Sequence, residues 1–164
     1  MPEYNQEELR DHHTSSLAII DHKGRLLMSV SIRHDMLTFP IGKCQLDETP
    51  KEGLIREMAE ELGIDMNTLM MGDKHTSMAD SLRETEVFAT VYQREGKDVR
   101  VIQHVFELDI KKDEQYLVEG IVNQEPEKCR CLVWLLPEEF VSFCKMNRIA
   151  GVADGVRKCF PQWC

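Results

Sequence analysis

Three glutamates with helical spacing are the residues of this chain best suited to chemistry. Glu57, Glu60 and Glu61 stand at positions i, i+3 and i+4, which places their carboxylates on one side of a helix. Carboxylates this close repel each other, whereas a hard divalent cation binds oxygen ligands of this kind. The alternative is a solvated acidic face, the usual explanation for a glutamate-rich helix. The pattern predicts a metal site if these side chains line a cleft.

The sequence around the glutamates carries clear start and stop signals for a helix. Thr49 at the N-cap, Pro50 at the first helical position and Glu52 at the third make a capping box. Gly63 suits the left-handed position that ends a helix. An apolar stripe runs beside the glutamates rather than opposite them, and consists of Leu54, Ile55, Met58 and Leu62. Because this stripe must face the core, we expect the glutamates to point along the core's edge into a cleft.

The rest of the chain reads as strands before and after this helix, with short helices near the end. Residues 1–13 form a polar lead-in that we expect to be partly disordered. Strands are predicted at residues 14–21, 25–32, 37–40, 42–46, 85–94, 99–110 and 131–136. Later helices are predicted from Pro137 and over 149–159, and the methionines of the segment 66–84 are expected to fill the core. With no linker or repeat, residues 1–164 are expected to form a single α/β domain.

Charge and composition narrow the classes of partner. The chain has 164 residues and a formal net charge of -9, so it has no general attraction to nucleic acid or to an anionic membrane. An acidic protein that acts on phosphate esters needs metal ions to offset the repulsion, which fits the glutamate cluster. No apolar stretch has the length of a secretory signal or a membrane span. We therefore expect a cytoplasmic protein with no membrane partner, whose six cysteines are reduced thiols.

The segment from Gly42 to Ile64 resembles the Nudix box. Its fixed positions run Gly, five residues, Glu, seven residues, then Arg-Glu-apolar-any-Glu-Glu-any-Gly-apolar, and all are filled here without a gap. The chain is thus similar to Nudix hydrolases of the MutT-like kind, whose fold is a mixed β-sheet sandwiched between α-helices. The resemblance implies a Mg²⁺ cofactor, with Mn²⁺ as a substitute, held by Glu57, Glu60 and Glu61.

The same resemblance implies roles for other residues of the box. Arg56 and Glu48 match a pair that braces the loop against the helix. Gly42 would permit the tight loop, and Gly63 would end the helix. The carboxylate that deprotonates the attacking water would be Glu60 or Glu61, or else a downstream acid.

Two further positions bear on the metal site. MutT-like members usually have two glycines after the proline, whereas Pro40 is followed here by Ile41 and Gly42. The family uses the backbone carbonyl at the position of Ile41 as a metal ligand, and an isoleucine makes this loop less permissive. Variants here occur among members that act on larger substrates, including RNA caps.

The segment 123–129, followed by a Trp and a Pro-Glu-Glu run, resembles a segment of the family's nucleoside-triphosphate diphosphatases. In those enzymes a downstream acid reaches back to the metal, so Glu125 or Glu127 is the candidate ligand, the alternative being two solvated loop acids. Phe39 and Asn123 could line a base pocket. Each is more often a core aromatic or a turn residue.

The resemblance implies hydrolysis of a diphosphate bond in a nucleoside diphosphate linked to a group X. The first hypothesis is a (d)NTP substrate that yields a nucleoside monophosphate and pyrophosphate. An RNA 5′-cap or dinucleotide diphosphatase is the alternative; Ile41 favours RNA, and the acidic charge opposes it because long RNA normally needs a positive track. A third hypothesis is a non-catalytic nucleotide-sensing module, although such modules typically lose box carboxylates that this chain keeps. Many relatives form homodimers, so a homodimer is expected by analogy.

Overall fold

A mixed β-sheet forms the centre of the protein, which this computed structural model describes over residues 12–68, 70 and 76–164. Its strands are β1 (His12–Ile20), β2 (Leu26–Ser31), β3 (Met36–Thr38), β4 (Ile41–Lys43), β5 (Arg83–Arg94), β6 (Lys97–Asp109), β7 (Cys129–Leu135) and β8 (Gly151–Val152). The helices are α1 (Pro50–Leu62), α2 (Tyr116–Glu119), α3 (Phe140–Met146) and α4 (Asp154–Cys159).

The strands run in both directions. Their order is β5-β6-β1-β2-β3-β8, with β4 also paired to β1 and β7 to β2. The pairs β1–β6 and β3–β8 are parallel, and the other pairs are antiparallel. Strand β1 lies inside the sheet, and its residues Ser15–Ile19 are all buried, the pattern expected of a strand that is covered on both faces.

Helices cover both faces of the sheet. On one face, Leu17 and Ile19 of β1 pack with α1 and α2. On the other face, Ala18 packs with α3 and α4. The alternation of side chains along a strand explains why neighbours such as Leu17 and Ala18 belong to different clusters. The predicted α/β fold, a mixed sheet between helices, is confirmed.

Some predicted boundaries need correction. Strand β1 begins at His12 rather than residue 14, because His12 and His13 pair in parallel with Val101 and Ile102 of β6. The rest of the predicted polar lead-in, residues 1–11, lies outside the described residues. The predicted helix over 149–159 is wrong in its first half, where Gly151–Val152 extends the sheet beside β3 and the helix begins only at Asp154. Glycine disfavours helix, and the edge of β3 offers unpaired backbone groups.

The structure also shows where the predicted core methionines and the cysteines lie. The methionines Met66 and Met78 are each 1% exposed in the core, as predicted, whereas Met71 lies outside the described residues. All six cysteines are free. Among the described residues, no helix combines the length and the apolarity that crossing a bilayer would require.

The turn between β1 and β2 is built around a buried carboxylate. Oδ1 of Asp21 accepts hydrogen bonds from the backbone N–H groups of Lys23 and Arg25, both at 2.9 Å, and Oδ2 accepts from Nε of Arg25 at 2.8 Å. The Asp21 side chain is 1% exposed. Burial raises the pKa of this carboxyl, but the hydrogen bonds from Arg25 and Lys23 outweigh it and hold the pKa below its ordinary value.

A close approach between β4 and α1 positions the glutamates. Gly42 packs directly against the side chain of Glu57, so that a Cβ at position 42 would lie 2.6 Å from Glu57 Cβ and overlap Cγ and Cδ as well. Glycine is required here for space rather than for an unusual φ, since φ of Gly42 is not positive. This contact restricts the space in which the Glu57 side chain can lie.

Replacement of the buried carboxylate should destabilise the protein in a pH-dependent way. We expect Asp21→Asn to lower the free energy of unfolding by about 2 kcal/mol at neutral pH, the scale of a charged hydrogen bond. Because the folded-state pKa is depressed, wild-type stability from Asp21 is present above the unfolded-state pKa and is lost as pH falls through the folded-state pKa. Urea unfolding near pH 7 and near pH 2.5 should therefore show the two proteins converging in acid. Asp113→Asn, at an exposed position, is the matched control.

A side chain at position 42 should be costly. We expect Gly42→Ala to lower the free energy of unfolding by about 1–3 kcal/mol, because the methyl group overpacks against Glu57. Gly120→Ala is the control, since a Cβ there meets nothing within 4 Å and φ is -87°. Equal thermal melting temperatures for the two variants would contradict the close approach.

Candidate metal-binding site

Helix α1 begins and ends as its sequence predicts. The Thr49 hydroxyl accepts from the Glu52 N–H at 3.2 Å, and the Glu52 carboxylate accepts from the Thr49 N–H at 3.4 Å, which completes the capping box. Gly63 ends the helix with φ of 68°. Between these ends, Leu54, Met58 and Leu62 are buried and fix the rotation of the helix about its axis.

That rotation separates the three glutamates of the box. The side chain of Glu57 is 15% exposed and Glu61 is half-buried, whereas that of Glu60 is 53% exposed. Residues 57 and 61 are one turn apart and lie nearly above one another, while each residue step rotates the chain by about 100°, which turns Glu60 toward solvent. Glu57 and Glu61 therefore lie on the partly buried side of α1 and Glu60 on its exposed side, and a shared metal-binding cleft stays a prediction.

Arg56 connects the loop before α1 to the glutamates. Its Nε and Nη2 donate to the two carboxylate oxygens of Glu48 at 2.7 and 2.9 Å, and Nη2 also donates to the carbonyl of Lys43 at 3.0 Å. Its Nη1 donates to Glu57 at 3.0 Å and to Glu60 at 3.2 Å. Hydrogen bonds from Arg56 hold the pKa of Glu48 below its ordinary value. Arg56 and Glu48 thus form the bidentate contact that the resemblance implied.

The loop after α2 is tied to the end of α1. The N–H groups of Gln124 and Val122 donate to the carbonyls of Glu61 at 2.8 Å and Leu62 at 3.1 Å, carbonyls that have no partner within the helix. Asn123 is fully engaged inside this loop: its Nδ2 donates to the carbonyl of Cys129 at 2.8 Å, and its Oδ1 accepts from the N–H of Glu125 at 3.1 Å. Both polar ends of Asn123 are occupied, so its geometry suits the placement of Glu125 better than contact with a base.

Of the two downstream acids, Glu125 is the one beside the box. Its side chain is 23% exposed and its charge acts on Glu61, whereas Glu127 is exposed. Oε1 of Glu125 accepts from Nζ of Lys128 at 3.1 Å. Oε2 of Glu125 is buried and has no hydrogen-bond partner among the residues that the structure describes. A buried carboxylate oxygen with no donor is costly, which is the situation that a bound cation would relieve.

Negative charge is concentrated at this point. Burial raises the pKa of Glu61 to about 8, with further contributions from Glu57 and from Glu125. Two neighbouring carboxylates in a partly buried site repel each other, and either a proton on one of them or a nearby cation relieves that repulsion. Among the residues that the structure describes, no three carboxylate, imidazole or thiol groups stand close enough together to hold a metal ion, and Arg56 contacts both Glu57 and Glu60. The donor set is nevertheless all oxygen, which fits Mg²⁺ or Mn²⁺.

Two further predicted site residues, Ile41 and Phe39, precede α1 in the sequence. Ile41 is half-buried in β4, opposite Ser16 of β1, at the edge where β4 meets the glutamates. Phe39 is 1% exposed, and its ring contacts that of Phe160 edge-on at 6.4 Å between centroids. Because its ring is enclosed by the core, Phe39 offers no accessible surface to a base, and the core alternative is the better description.

Sequence reasoning missed one residue of this site. Lys128 stands three residues after Glu125, on the far side of a proline turn, and its ammonium contacts that carboxylate. The signal was present as an acid and a base three residues apart within a turn-forming segment, a spacing that brings side chains together only when the turn is formed.

Comparison with known proteins agrees with this architecture. The NUDIX domain profile matches residues 11–154. An RNA pyrophosphohydrolase from Marinomonas is 37% identical over 49 residues, which cover 30% of this chain and 30% of that protein, so the match spans less than a third of the curated relative.

Two solved structures share the fold at low identity. The mutator MutT protein from Bacillus halodurans has a TM-score of 0.59 and 22% identity over 92% of this chain and 80% of its own. A bifunctional NMN adenylyltransferase/ADP-ribose pyrophosphatase from Francisella tularensis, complexed with AMP and a manganese ion, has a TM-score of 0.59 and 20% identity over 88% of this chain and 38% of its own. With the domain profile covering most of the chain and the box complete, this protein belongs to the Nudix hydrolase family and is similar to its MutT-like members.

Proposed function

We propose that this protein hydrolyses the bond between the α- and β-phosphates of a nucleoside triphosphate or deoxynucleoside triphosphate, giving a nucleoside monophosphate and pyrophosphate. The observation that carries the proposal is Glu125, which follows the residue bound to the Glu61 carbonyl and whose Oε2 is buried with no donor among the described residues. A complete Nudix box supports the same reaction class.

The proposed cofactor is Mg²⁺, with Mn²⁺ as a substitute. Glu57, Glu60, Glu61 and Glu125 would hold the cation, together with the backbone carbonyl of Ile41. When bound, the cation neutralises phosphate oxygens and lowers the pKa of a bound water. The manganese ion in the Francisella tularensis structure supports a divalent cofactor for this fold.

The residues of the site divide the remaining work. Arg56, held by Glu48, keeps the loop and α1 together so that the carboxylates keep their positions. Glu60 or Glu61 takes a proton from the attacking water while the water oxygen forms its bond to phosphorus. The anhydride bond to the pyrophosphate leaving group then breaks. Asn123 supports this geometry by fixing the backbone of Glu125.

A second substrate class has one specific observation in its favour. The curated relative with 37% identity is an RNA pyrophosphohydrolase, and Ile41 occupies a position that varies among members acting on larger substrates. The net charge of -9 opposes this class, because a long RNA normally binds along a positive track. RNA 5′-ends are therefore the second candidate. The expected homodimer and cytoplasmic location stay predictions.

The experiment that tests the proposal is a substrate panel with Mg²⁺. Canonical and damaged (d)NTPs, a diadenosine polyphosphate, triphosphorylated RNA and capped RNA would each be incubated with the protein. Phosphate would be measured with and without pyrophosphatase, and the nucleotide products would be separated by chromatography, because hydrolysis of a diadenosine polyphosphate or of a cap releases no pyrophosphate. Phosphate release that depends on pyrophosphatase, with a monophosphate product, would support the first hypothesis. Turnover of RNA alone would favour the second, and no turnover of any compound would favour a nucleotide-sensing module.

Removal of the proposed base should abolish turnover without unfolding the protein. We expect Glu60→Gln to lower kcat by about 10²–10⁴-fold at saturating Mg²⁺, the usual contribution of a general base. Glu60 is exposed, so its thermal melting temperature should stay close to wild type. Near-normal turnover would remove Glu60 from the mechanism and leave Glu61 as the candidate base. Glu138→Gln, an exposed acid on another element, is the control.

The two downstream acids provide a matched pair. We expect Glu125→Gln to weaken Mn²⁺ binding by about tenfold or more, because it removes one charge from the proposed ligand set. Glu127→Gln, two residues away and exposed, should change the affinity by less than about twofold. Calorimetric titration with Mn²⁺ would measure both, and a larger effect at Glu127 would reverse the assignment.

A further inference from the structure

The ammonium of Lys128 contacts one of the proposed metal ligands, Glu125. In the described part of the chain its Nζ has one hydrogen-bond partner, Oε1 of Glu125 at 3.1 Å, and its side chain is 67% exposed. Its charge also acts, more weakly, on Glu61 and Glu57. The Lys128 ammonium therefore offsets the charge of a carboxylate that a divalent cation would also neutralise.

The backbone of Lys128 is held firmly even though its side chain is exposed. Its N–H donates to the carbonyl of Glu125 at 2.9 Å, and its carbonyl accepts from the N–H of Ile32 at 3.0 Å. The loop that carries both residues is tied to the end of α1 by Gln124. The ammonium is thus kept within reach of the site by a fixed anchor, while four rotatable bonds let it withdraw.

Arg56 cannot play this part. It also contacts two of the carboxylates, Glu57 and Glu60, but two further hydrogen bonds fasten its guanidinium to Glu48 and a third to a backbone carbonyl. To release the glutamates it would have to give up a bidentate contact. Lys128 gives up a single hydrogen bond between partly exposed groups, an exchange of small free energy.

We propose that Lys128 is a built-in competitor of the metal, an ammonium that holds Glu125 until a divalent cation takes its place. The inference rests on the proposed metal site and adds to it a residue outside the Nudix box that sets the metal affinity. Displacement frees the ammonium at the edge of the site.

Titration with Mn²⁺ alone, without nucleotide, tests the inference apart from turnover. We expect Lys128→Met to bind Mn²⁺ about threefold to tenfold more tightly than wild type, because the competitor and its repulsion of the dication are both gone. Lys128→Arg keeps the charge and should stay near wild type. Lys112→Met, at an exposed lysine elsewhere on the surface, is the control for a general change of net charge.

A double-mutant cycle separates competition at Glu125 from a general field effect. In the Glu125→Gln background, Lys128→Met should tighten Mn²⁺ binding much less than in wild type, because the carboxylate for which the two cations compete has been removed. The difference between wild type and Lys128→Met should also shrink as KCl is raised, since the ammonium is exposed to solvent.

The outcomes distinguish this inference from the proposed function. Equal or weaker Mn²⁺ binding by Lys128→Met, in a protein that still hydrolyses nucleotides, would overturn the inference and leave the function standing. An equal gain in Lys112→Met would also overturn it. Failure of the wild-type protein to bind Mn²⁺ at all would overturn both.

Discussion

Mutual repulsion between carboxylates is the constraint on which this site depends. Glu57, Glu61 and Glu125 are placed near one another by elements that are fixed for other reasons, and burial together with the charges of Glu57 and Glu125 raises the pKa of Glu61. Nearby positive charge reduces this repulsion. Arg56 supplies a permanent part of that charge and Lys128 an exchangeable part. The division between a fixed and a replaceable cation allows one structure to be stable both before and after a metal binds.

Apolar packing and backbone hydrogen bonds fix the elements that carry these carboxylates, and so keep the carboxylates near one another. Burial of Leu54, Met58 and Leu62 fixes the rotation of α1, and the capping box fixes where its first turn begins. At the other end, the unpaired carbonyls of the last turn are satisfied by N–H groups of the loop 122–124. The last carbonyls of every helix need hydrogen-bond partners outside the helix. Here the loop that supplies those partners also places Glu125 near the glutamates of α1.

Local sequence signals predicted helix α1 and its two ends well, but they did not predict contacts between residues that are far apart in the sequence. Thr49, Glu52 and Gly63 act within one turn of their partners, so sequence spacing alone places them. The turn toward solvent of Glu60 depends on the burial of the apolar stripe, which spacing predicts only approximately. Strand β8 could not be foreseen, because two residues become a strand only when the edge of β3 is beside them. Phe39 shows the same limit: its enclosure depends on Phe160, 121 positions later in the chain. The role of Asn123 within its loop likewise appears only when Cys129 is in place.

The contact between Gly42 and Glu57 also restricts how the sequence can evolve. The Cβ of residue 42 would meet the Cβ of residue 57 as well as the atoms beyond it, so shortening the acid to aspartate would not make space. A larger residue at position 42 becomes tolerable only once position 57 has lost its side chain, and with it the carboxylate. A glutamate at position 57 is therefore expected to be replaced before the glycine at position 42 is replaced. In a lineage that keeps the acid, selection holds the glycine in place through steric exclusion alone, without any part of its own in the chemistry.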